Sequence, residues 1–175
     1  MNFTIHKTKI CIDFSFFLLL SFAVFYGYKN AVLIVLFSSL HELGHLLCLI
    51  LIKAYPQRII VSFYGISMKY NNKISKFYEL LVIICGPAVN LILYLILKDD
   101  INLALLIINL YPVLPLDGGR IVYLLSEKVS KVITIMFLIL LTTISIYLFI
   151  FYQIFSVMLI TVYLIIFNLK QMRFI

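Results

Sequence analysis

Apolar residues in this chain are gathered into runs long enough to cross a bilayer, and no other feature restricts its fold as strongly. The candidate spans are Cys11–Tyr28, Ala31–Ile52, Phe77–Leu97, Asn102–Leu116, Val132–Tyr152 and Gln153–Leu169. Most approach the roughly 20 residues that a helix needs to cross a hydrocarbon core of about 30 Å. With 65% of its 175 residues hydrophobic and 12% charged, a soluble fold could not cover its own apolar surface. Lipid must cover part of it. The fourth run is short and carries Pro112 and Pro115, which predicts a broken helix. The last two form one apolar stretch, divided only around Tyr152-Gln153.

The formal net charge of +7 is not a nucleic-acid footprint, because the basic residues occupy the connections between apolar runs. A six-span arrangement with both termini in the cytoplasm puts all Lys and Arg except Lys29 and Lys98 on the inside. Such a bias is the positive-inside pattern of a multi-pass protein, here expected in a bacterial cytoplasmic membrane. Contacts to anionic lipid are its second use, and no nucleic-acid partner is expected. Cys11, Cys48 and Cys85 lie in or at the end of apolar runs and read as small buried hydrophobes. No linker or repeat divides the chain, so residues 1–175 are expected to form one membrane-embedded domain.

Within the second run stands His41-Glu42-Leu43-Gly44-His45. Histidines four apart share one helix face, and both imidazoles can reach one zinc. A glutamate beside the first can take a proton from zinc-bound water. Ionisable groups inside a span are costly and usually functional, which favours this reading over two histidines bonded to neighbouring helices. A catalytic zinc needs a third protein ligand, and Asp117 is the best candidate. In the six-span arrangement His45 and Asp117 lie about 21 and 22 Å into spans that run the same way. Gly118-Gly119 would permit a sharp turn that aims the carboxylate inward. The alternative for Asp117 is an ordinary Asp-Gly turn residue. Cys48 is the competing ligand, but it lies about 10 Å along the axis from His41.

Together with the segment from Asn109 to Arg120, the His41–His45 motif resembles the site-2 protease family of intramembrane zinc metalloproteases. Within that family it is most similar to the branch of stage IV sporulation protein FB. Asn109-Leu110-Tyr111-Pro112-Val113-Leu114-Pro115-Leu116-Asp117-Gly118-Gly119 has that branch's form Asn-x-x-Pro-x-x-Pro-Leu-Asp-Gly-Gly, and Gly86-Pro87-Ala88-Val89-Asn90 looks like the family's Gly-Pro-x-x-Asn. The resemblance implies one zinc ion held by His41, His45 and Asp117, with Glu42 as catalytic acid/base. It also implies that Asn90 and Asn109 lie near the site, where they could steady substrate backbone or an oxyanion. Interhelical hydrogen bonding is the alternative for both amides. The sporulation branch typically adds a cytoplasmic nucleotide-sensing domain and other branches a PDZ domain, and this sequence contains neither.

The expected fold is therefore an all-α polytopic membrane protein of about six transmembrane helices. A short membrane-associated β-hairpin is expected between the second and third. There Arg58–Tyr70 reads as two strands around Gly65, able to pair with an unwound substrate strand. The expected reaction is hydrolysis of a peptide bond in or near the span of a membrane-anchored regulatory protein. A precursor sigma factor is the expected substrate if the sporulation likeness extends to function. An inhibitory membrane partner belongs to the same expectation. A metal-ion or small-solute transporter, or a non-catalytic scaffold, is the alternative; the single clustered site argues against the first and Glu42 against the second.

Overall fold

The computed structural model describes residues 2–5, 8–14, 21, 24–25, 27–62, 65–69 and 74–173. Most are helical, and the chain forms two compact units, Met1–Ile107 and Ile108–Ile175. Among the described residues, three helices are long and apolar enough to cross a membrane: Lys29–Leu51 (α1), Lys76–Leu97 (α2) and Glu127–Tyr152 (α5). The 23 residues of α1 extend about 34 Å, enough for the hydrocarbon core. Only 17% of the most apolar window of α5 is buried within the protein. Its exposed face carries Val132, Met136, Ile139 and Ile150, a surface suited to lipid and not to water. The chain is a membrane protein on these grounds.

The first unit begins with strands Asn2–Ile5 (β1) and Thr8–Ile12 (β2), and a second pair, Arg58–Ser62 (β3) and Gly65–Lys69 (β4), follows α1. The predicted hairpin is present as β3 and β4, paired antiparallel from Arg58↔Lys69 to Ser62↔Gly65. Gly65 opens β4 and does not sit between the strands as its position in the sequence implied. The chain is mostly helical as expected, and the hairpin belongs to a larger sheet of four strands in the order β1-β2-β3-β4. β2 joins β3 in parallel, from Lys9↔Arg58 to Ile12↔Val61. Parallel neighbours need a crossover connection, and the segment from Asp13 to Gln57, with α1 inside it, supplies one. Thr8 Oγ1 donates to Pro56 O at 2.6 Å and Asp13 N to Val61 O at 2.8 Å, fastening both ends of this pairing. The predicted first span, Cys11–Tyr28, begins inside β2, and much of the remainder, like His6, lies outside the described residues.

The helix α2 starts where Ser75 caps it and Glu79 complements its first turn. It ends at Lys98, in the left-handed region at φ 54°. Asp99 then starts the short helix Asp100–Asn109 (α3), its carboxylate accepting from Ile101 N at 2.8 Å. In the second unit an irregular stretch with both prolines leads to Asp117–Leu125 (α4), so the broken fourth segment is as predicted. Ser126 caps α5, whose first turn is braced by a 2.8 Å Glu127–Lys131 ion pair. Gln153, at φ 54°, ends α5 before Phe155–Arg173 (α6), at the boundary placed around Tyr152-Gln153. Asn168 of α6 donates from Nδ2 to Leu114 O at 2.6 Å and Leu164 O at 2.8 Å, holding the stretch before α4.

Candidate metal centre

His41 and His45 occupy successive turns of the same face of α1 and are 3% and 5% exposed. Close approach of α1 to α2 is permitted by small residues. A methyl on Gly44 would stand 2.7 Å from the Cys85 carbonyl oxygen and 2.7 Å from Val89 Cγ2. One on Gly86 would stand 2.7 Å from His41 Nε2 and overlap the His45 ring. Gly86 therefore leaves room in front of both imidazoles. This is the small-residue packing that brings helix backbones together in a membrane.

The imidazoles are held by α2. His45 Nδ1 lies 2.7 Å from Val82 O, and a carbonyl can only accept, so the proton is on Nδ1. The Nε2 lone pair of His45 is thereby turned to the space beside Gly86, as a metal-ligating histidine requires. His41 Nδ1 lies 3.0 Å from Asn90 Nδ2, and Asn90 is completely buried. The two Nε2 atoms are 3.1 Å apart. Two nitrogens bound to one tetrahedral zinc at about 2.0–2.1 Å would be separated by about 3.3 Å, so the pair fits a single ion. The contacts His41–Asn90 and His45–Val82 run in opposite order along α1 and α2, as antiparallel neighbours require.

Asp117 is the first residue of α4 and is buried, 5% exposed. The helix N-terminus favours its charge, and Arg120 Nη1 lies 3.5 Å from Oδ1 one turn on. Gly118 and Gly119 do not make the predicted turn; they are the next helical residues and are buried. Their lack of a side chain permits close backbone packing. A methyl on Gly118 would stand 2.6 Å from Tyr111 O and overlap Leu110 O, and one on Gly119 would overlap the Val113–Leu114 peptide. Asp117 belongs to the second unit, where its buried carboxylate is a further donor able to bind a metal. Two imidazoles and one carboxylate are the donor set of many catalytic zinc sites.

Glu42 follows His41 on α1 and is half-buried; Asn109 ends α3 and is also half-buried. Cys48 is buried further along α1, near Cys85. The Val82 carbonyl and the room left by Gly44 are contributions that residue types alone did not reveal. The spacing Val82–Gly86–Asn90, one residue per helical turn on a single stripe, was the available signal.

No family model matches the chain, and no curated protein does. A solved structure, the Site-2 Protease from Methanocaldococcus jannaschii, aligns with 94% of this chain and 91% of its own, at 23% identity and a TM-score of 0.60. The chain thus shares a fold with that protease.

Proposed function

We propose that the chain is an intramembrane zinc metalloendopeptidase of site-2 protease type, which hydrolyses a peptide bond in or near the span of a membrane-anchored protein. The observation that carries this reading is the buried pair His41 and His45, whose Nε2 atoms lie 3.1 Å apart and face Gly86, with a carboxylate one residue after His41; Asp117 is the proposed third ligand. The fold likeness to the archaeal protease and the apolar helices support it.

Zinc, when bound, supplies the Lewis acid that activates water and polarises the scissile carbonyl. Val82 O fixes the tautomer and plane of His45. Glu42 takes a proton from the attacking water as the new C–O bond forms. It delivers that proton to the leaving amine nitrogen as the C–N bond breaks. Asn109 serves the substrate side of this reaction, donating to backbone or oxyanion. The sheet offers an edge to substrate that has left its helix, since helical amides are satisfied internally and must be released before cleavage. The substrate is a regulatory protein with one span, a precursor sigma factor being the specific case. A multi-pass arrangement with cytoplasmic termini brings the site to the inner leaflet.

The test uses the full chain in proteoliposomes with single-span peptides of varied sequence. Cleavage within or beside the span is expected. A zinc chelator should abolish it, and added zinc should restore it. Cleavage that survives complete metal removal overturns the reading.

A further inference from the structure

We infer that Asn90 is a positioning residue for the metal centre, its side-chain amide selecting which nitrogen of His41 is offered to the ion. The inference rests on the metal-centre reading above and extends it. Asn90 is wholly buried on α2, with Nδ2 3.0 Å from His41 Nδ1. Its Oδ1 is buried too and has no hydrogen-bond partner among the described residues. A buried amide that leaves its oxygen unsatisfied is costly, so this orientation needs a reason.

The amide has two orientations with nearly the same shape. With Nδ2 toward the ring, Asn90 donates, and His41 must carry its proton on Nε2. That proton then lies in the 3.1 Å gap to His45 Nε2, where it can be donated. In this orientation the His41 Nε2 carries a proton and offers no lone pair to a metal. With Oδ1 toward the ring, Asn90 accepts, and the proton moves to Nδ1. The His41 Nε2 lone pair then faces the same space as that of His45. Two lone pairs 3.1 Å apart repel, and a cation between them removes the repulsion. Metal binding thus requires the second orientation, and the half-turn of one amide converts a hydrogen-bonded histidine pair into a ligand pair. The same rotation gives the orphaned oxygen a partner. The geometry makes Asn90 the counterpart for His41 of what Val82 O is for His45. Unlike the carbonyl, the amide can reverse its role.

The experiment measures zinc affinity of the full chain in detergent by chelator competition, and the His41 tautomer by ¹⁵N NMR of labelled histidine. Asn90→Leu, of similar volume but unable to accept, should bind zinc about 10–100-fold more weakly, the usual cost of losing an outer hydrogen bond to a ligand. Asn90→Asp, which keeps an acceptor at that distance, should bind within a few-fold of the unaltered chain. Before zinc is added, the His41 signals should show Nε2 protonated in the unaltered chain and Nδ1 protonated in Asn90→Asp. Equal zinc affinity in Asn90→Leu and the unaltered chain overturns the inference alone. So does an Nε2-protonated His41 in Asn90→Asp, a variant that keeps the shape of the core. An unaltered chain that binds no zinc overturns the metal-centre reading, and the inference with it.

Discussion

Glu42→Gln is expected to keep its zinc and lose its proteolysis. The amide has the shape of the carboxylate, and residue 42 is not one of the three proposed ligands, so the metal should remain. What it cannot do is accept the proton of the attacking water or pass one to the departing amine. Loss of a positioned general acid/base lowers a rate by about 10²–10⁴-fold, and here one group carries both transfers. The measurement is single-turnover cleavage of a single-span peptide, with bound zinc quantified in the same sample. Unchanged cleavage would remove Glu42 from its assigned role.

Gly86→Ala is expected to empty the centre from the opposite side. Its methyl would occupy the position 2.7 Å from His41 Nε2 and overlap the His45 ring, filling the space that both imidazoles face. Alanine favours a helix interior over glycine by about 1 kcal/mol, so α2 itself is not weakened by the exchange. The rings must swing away or the ion must leave. Zinc affinity should fall by about 100-fold or more, the upper end of what changes around metal ligands cost. Zinc titration and the helical circular dichroism signal separate this from unfolding. Full zinc occupancy in a well-folded Gly86→Ala chain would show that the space in front of the histidines is not the metal position.

Much of the candidate site was legible because each part had a local signature. His41, Glu42 and His45 share one helical repeat, and Asp117 stands beside two prolines and two glycines that announce a break. The strands β3 and β4 could be read because the segment from Arg58 to Lys69 alternates and lies between strong apolar helices. The first two strands could not. Thr8–Ile12 has no alternation, its apolar end merges with the apolar run that follows, and its partner β3 is nearly fifty residues away. Strand pairing over that separation leaves no trace in local sequence. Gly118 and Gly119 were misread for a related reason. Glycine marks a turn and a close backbone approach equally well, and only the packed neighbours tell them apart. Asn90 was legible as a buried amide near the centre. Its hydrogen bond to the outer nitrogen of His41 depends on the antiparallel register of α1 and α2, which no motif encodes.

The central claim, a zinc ion held by His41, His45 and Asp117, is tested most directly by metal stoichiometry in purified variants. The unaltered chain should carry about one zinc, the single ion that a two-histidine, one-carboxylate site holds. Asp117→Ala should lose most of it, and Cys48→Ala should retain it. Zinc retained in Asp117→Ala and lost in Cys48→Ala would contradict the account.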